Sequence, residues 1–105
     1  MHNFKQLMIW QKGVDLAVKA YSVTKDFPKH EQYVLTSQIT RSAVSVPSQI
    51  AEGAGRKSER EMSRYLNISL GSSFELETQL IIANRINYLD NDTFVEIQAE
   101  CNELQ

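Results

Sequence analysis

The chain holds a single cysteine in 105 residues. An intrachain disulfide is therefore excluded, and so is a zinc site built from several thiolates of one chain. Proline occurs twice and glycine four times, too rarely for a collagen-like, proline-rich or loop-heavy chain. No apolar run approaches the roughly 20 residues that a membrane span needs. Leu7-Met8-Ile9-Trp10 is too short for a secretory signal, and no small-residue cleavage site follows it. The expected compartment is the cytoplasm. A charge excess is missing too: the net charge of −2 does not announce nucleic-acid binding. No P-loop, dinucleotide fingerprint, zinc spacing or kinase motif occurs.

What is present is an ordinary soluble composition, 42% hydrophobic and 23% charged. The length allows one hydrophobic core, so residues 1–105 read as a single domain. The charges are unevenly placed. Residues 1–64 hold ten Lys/Arg against six Asp/Glu, whereas residues 65–105 hold only Arg85 against seven acidic residues. Such asymmetry is found on partner-facing surfaces and also on domains that bind nothing charged.

The apolar pattern is helical throughout. Leu7, Trp10, Val14, Ala17 and Tyr21 alternate spacings of three and four, which predicts a first helix with Trp10 and Tyr21 in the core. Asn3 with Gln6 offers a cap, and Phe27-Pro28 a stop, because the residue before proline is pushed out of the α region. A second pattern runs from about Lys29 to Glu52 on Leu35, Ile39, Ala43, Val46 and Ile50. Pro47 inside it predicts a kink, or two shorter helices meeting at Ser45-Val46-Pro47. Gly53 and Gly55 end it. Ser58 and Glu61 form a capping box ahead of a third stripe, Met62, Leu66, Ser69, Ser73, Leu76, Leu80 and Ala83, that reaches about Asn87. Tyr88 to Asp92 reads as a turn with cap chemistry. A last helix places Phe94, Ile97, Cys101 and Leu104 on one face; it is short, or the chain stops before its natural end. The expected fold class is all-α: an antiparallel up-down four-helix bundle with a second helix kinked at Pro47.

Two stretches carry more apolar residues than one buried stripe needs. Leu7-Met8-Ile9-Trp10 and Leu80-Ile81-Ile82-Ala83 cover every side of their helical turns. For the third helix, central burial explains this as well as a partner does. The two stretches together favour self-association.

Longer motifs accompany these patterns. Ser37-Gln38-Ile39 is followed by the run Arg41-Ser42-Ala43-Val44-Ser45-Val46-Pro47-Ser48-Gln49-Ile50-Ala51-Glu52-Gly53-Ala54-Gly55-Arg56, and later by Leu70-Gly71-Ser72-Ser73-Phe74-Glu75-Leu76-Glu77-Thr78. With Phe4, Leu7, Trp10 and Phe27-Pro28 before Glu31, the combination resembles the bacterial four-helix-bundle family first named for proteins encoded in intervening sequences of large-subunit ribosomal RNA. The resemblance spans nearly the whole chain. It implies a ring-like homopentamer. It also implies kinship with the accessory variability determinant of diversity-generating retroelements, a basic pentamer that binds nucleic acid and a reverse transcriptase. This chain departs from that relative in being net acidic. For most of the family no biochemical role is implied.

The candidate nucleic-acid contacts are Arg56, Lys57, Arg60 and Arg64. Positions 56, 60 and 64 are spaced by four, and the helix start after Ser58 offers free N–H groups to a phosphate. The competing reading is a solvated helix face, with Glu59 and Glu61 partly neutralising it. Arg41, Glu52, Glu75 and Glu77 are candidates for buried ion pairs between helices or subunits. A bundle metal site is not expected, since neither His2 nor His30 follows a Glu by three. No cofactor is expected. Gly71 reads as a close helix approach, Ser72-Ser73 as packing, Cys101 as core and His30 as a surface group.

The expected function is a non-enzymatic, homo-oligomeric helical scaffold for structured RNA or a ribonucleoprotein. The alternative is a protein–protein adaptor without nucleic acid. An enzyme is the third reading, and a ligand-shaped polar pocket between subunits containing Glu75 or Arg41 would raise it.

Overall fold

The computed structural model describes residues 2–105. Among these the regular structure is entirely helical. A single 3-10 turn at Phe4–Gln6 precedes α1 (Met8–Thr24); a second, at Lys29–Glu31, precedes α2 (Leu35–Ala54); α3 (Glu59–Arg85) and α4 (Asn91–Glu103) complete the chain. Helix α1 packs on α2 and α4, and α3 packs on α2 and α4, the square arrangement of a four-helix bundle.

The helix ends follow local chemistry. Ser58 Oγ accepts the Glu61 N–H at 3.1 Å, and Asp90 Oδ1 accepts that of Thr93 at 2.8 Å. Helix α3 stops where Asn87 takes φ 65°, a left-handed conformation that Asn tolerates. Tyr88 N–H then returns to the Ala83 carbonyl and Asn87 N–H to that of Asn84, at 2.9 and 3.1 Å. This is the Schellman pattern with Asn in the usual glycine position. The start of α1 differs from expectation. Asn3 caps only the 3-10 turn, and Leu7 is extended, so the α-helix opens at Met8. Helix α2 runs as one element through Pro47 rather than as two shorter helices. A Cβ on Gly13 of α1 would lie only 3.3 Å from the Pro47 Cβ, so the missing side chain lets the proline sit against α1.

The core contains Leu16, Ile39, Val46, Leu76, Leu80, Ile97 and Cys101, each nearly inaccessible. The stripe read on α2 is buried throughout. The stripe on α1 is rotated. Its buried residues are Gly13, Leu16, Ala17, Ala20 and Thr24, while Tyr21 is exposed and Trp10 half-buried against the edge of Phe4, ring centroids 5.2 Å apart. Close approach to α2 favours the small residues, and the large aromatics fall to the flank.

Asp90 gives a pH-dependent prediction. The Thr93 backbone N–H holds its carboxyl below the ordinary range. The capping contribution is therefore complete above the unfolded-chain value of about 3.9, and it fades as pH falls through the lower folded value. Asp90→Asn keeps a capping oxygen that does not titrate. The advantage in Tm of the native chain over Asp90→Asn should shrink between about pH 5 and pH 2. A constant difference across that span would refute the role.

Candidate nucleic-acid interface

The α2–α3 connection carries the basic cluster. Lys57, Arg60 and Arg64 are exposed, and Arg56 is half-buried. Helix α3 begins only at Glu59, so the spacing of four places Arg60 and Arg64 on one side, while Arg56 lies outside that helix. Arg56 turns back. It pairs with Glu52, and its guanidinium carbon stands 4.8 Å from the Tyr65 ring centroid. The Arg64 guanidinium lies 5.8 Å from the same ring, within the range of cation–π attraction. Lys57, Arg60 and Arg64 enter no ion pair among the described residues, with Glu59 and Glu61 or with any other carboxylate. A hollow of about 230 Å³ beside them is lined by His2, Arg56, Lys57, Ser58, Glu59 and Met62.

Sequence reasoning named Arg41, Glu52, Glu75 and Glu77 as candidates for buried pairs between helices or subunits. Among the described residues, Glu52 pairs only with Arg56, across one exposed turn. Glu77 accepts amide hydrogen bonds from Gln98 and Gln105, at 3.1 and 3.0 Å. Arg41 and Glu75 are exposed. Both line an open groove of about 530 Å³ between α2 and α3, with Gln38, Ser42, Ser45, Ser72 and Gln79. The Ser45 and Ser72 hydroxyls share a 2.8 Å hydrogen bond there, and Gln79 Oε1 is buried without a donor.

The ion pairs between helices lie elsewhere. Lys12 meets Glu103 at 3.3 Å, and Lys19 meets Glu96 and Glu100. The heptad spacing of Lys12 with Lys19 and of Glu96 with Glu103 was the available signal. The hydrogen bond to Glu96 raises the Lys19 pKa, and burial raises that of Glu100. At the far end of the bundle the Tyr88 hydroxyl donates to Glu31 at 2.9 Å and lies 3.3 Å from His30 Nε2.

The groove is polar and holds both Arg41 and Glu75, and its lining is that of a single chain. Of its three serines Ser45 and Ser72 bond to each other, and neither histidine lines it, so no serine of the groove is paired with a histidine base among the described residues. Cys101 is buried, and burial pushes its thiol up to about 12, far from reactive. No group of three or more His, Cys, Asp and Glu among the described residues is placed to hold a metal ion. No described helix is long and apolar enough to cross a membrane.

The described residues thus define a four-helix protein with a basic end and a polar groove. The model of the family described as 23S rRNA-intervening sequence protein matches residues 5–105. The chain belongs to that family, whose description names no reaction. Among curated proteins none matches. The fold is also that of a crystal structure described as a protein with unknown function from the S23 ribosomal protein family of Bacteroides thetaiotaomicron. That chain is 24% identical, the match covers 92% of this chain and 91% of the other, and the TM-score is 0.83.

Proposed function

We propose that the chain is a non-enzymatic scaffold of the cytoplasm that assembles with itself and binds structured RNA through Lys57, Arg60 and Arg64. The observation that carries this reading is that these three cations are exposed at the start of α3 and unpaired among the described residues. Phosphate contact thus requires no existing ion pair to be broken. Arg56 serves differently, bracing Tyr65 beneath the cluster. Self-assembly is supported by surplus apolar surface, with Met8 68% and Ile82 46% exposed. The family resemblance implies five copies. Repetition of the cluster around an assembly turns weak single contacts into useful avidity, which offsets the net negative charge of each copy.

RNA binding measured across a salt series tests the site. The native chain should bind with a steep salt dependence. Changing Lys57, Arg60 and Arg64 together to Glu should remove most of the affinity without changing the assembled mass. Each lost phosphate contact removes roughly 0.7 to 0.9 from the log–log salt slope. Unchanged affinity in that variant would falsify the site. The acidic 65–105 half favours a second reading, the protein adaptor. That reading gains if no RNA binds at low salt and one stoichiometric protein partner is recovered.

A further inference from the structure

We propose that the α2–α3 groove is where one copy of this chain packs against another, with Glu75 of each copy meeting Arg41 of the next. This rests on the self-assembly reading above and names the face and the charge pair that the assembly uses.

The first support is a second stripe on α3. Ile68, Ser72, Glu75, Gln79, Ile82 and Ile86 recur at alternating spacings of four and three. They form a line, ending at the C-cap Ile86, beside the buried one of Ser69, Ser73, Leu76, Leu80 and Ala83, and the buried Ser72 belongs to both. The three isoleucines of this second line are 40%, 46% and 46% exposed. Apolar ends around a polar centre are the pattern of a helix seam, in which isoleucines supply adhesion and the polar residues set the register.

The second support is unmet polar demand. Arg41 and Glu75 line one groove with opposite charges, yet neither forms an ion pair within the chain among the described residues. Gln79 Oε1 is buried there without a donor, and a buried acceptor left unpaired is a cost that a donor from outside relieves.

The third support identifies the partner. The Ser45–Ser72 hydrogen bond fixes the level of the two helices, and Ser69 Oγ on the Val46 carbonyl at 2.8 Å fixes it again on the other side. One turn away from Ser45 and Ser72, in the same direction, lie Arg41 on α2 and Glu75 on α3. A cation and a carboxylate thus face out at one height. Arg41 on α2 of one copy thus complements Glu75 on α3 of the next, an opposite-charge contact that repeats head to tail around a ring.

The test is the mass in solution of four chains, read by analytical ultracentrifugation over a concentration series. The native chain should assemble. Arg41→Glu and Glu75→Arg should each weaken assembly at least tenfold and move the mass toward the 12.0 kDa of one chain. The double variant R41E/E75R should restore assembly, because the pair is reversed rather than lost. Both side chains are exposed, so circular dichroism should show native helicity in all four. Ile82→Arg, on the same stripe, should also disperse the assembly, and Val18→Arg on α1 should not. A native chain that stays monomeric overturns the self-assembly reading together with this one. A native assembly untouched by both single variants, or not restored in the double variant, overturns the groove assignment alone.

Discussion

Leu80→Ala should cost about 2–5 kcal/mol of stability, read as a fall in the urea midpoint at unchanged slope. Leu80 has no accessible surface and sits in α3 among Ile39, Leu76 and Ile97, which are equally closed off. Truncation removes three carbons from that packing, and neighbours held on four helices relax only partly into the space. Against a total of roughly 5–15 kcal/mol for a domain of this size, one such change can remove a third or more of the stability. Met8→Ala provides the contrast. Met8 is 68% exposed, so its loss should stay within about 0.5 kcal/mol. Equal costs for the two would mean that the core has been misplaced.

Gly53→Ala and Gly71→Ala should shift stability in opposite directions, although both glycines lie inside helices. By helix propensity alone each change gains up to about 1 kcal/mol. A Cβ at Gly71 meets nothing within 4 Å, so Gly71→Ala should realise that gain and raise Tm by a few degrees. A Cβ at Gly53 would come to 2.9 Å from the Tyr65 Cβ and 3.1 Å from the Met62 carbonyl oxygen. The latter is backbone and cannot step aside, so α2 and α3 must part. Overpacking of this kind costs about 1–3 kcal/mol, which exceeds the propensity gain. Thermal unfolding of the two variants side by side decides it. A Gly53→Ala chain more stable than the native one would refute the close approach.

These two glycines show what sequence reasoning can and cannot reach. Gly71, flanked by Leu70 and Ser72, was expected to mark a close helix contact. The close contact belongs instead to Gly53, which was read only as a helix terminator. Glycine is placed in a helix for more than one physical reason, and the neighbour that distinguishes them is on another helix. The α2 stripe was legible because Leu35, Ile39, Ala43, Val46 and Ile50 stand among polar residues, leaving one orientation. Helix α1 has apolar residues on several sides, so its orientation was decided by fit against Pro47. Of the basic cluster, the positions were readable, but the diversion of Arg56 onto Glu52 and Tyr65 was not.

The sequence by itself determined the class, the number of helices, the cap at Ser58, a capping turn over 88–92, and most of the buried line on α2, α3 and α4. These follow from periodicity and from side chains that bond within three residues of their own backbone. Tertiary structure decided which face of α1 turns inward, which glycine is a contact, which carboxylates pair with Lys12 and Lys19, and that Arg41 and Glu75 share one groove. The glycine contact joins Gly53 to Met62 and Tyr65 across the α2–α3 connection; each of the others depends on residues 30 or more apart in the chain. Contact over that separation is set by how whole helices settle against one another, and no local pattern encodes it.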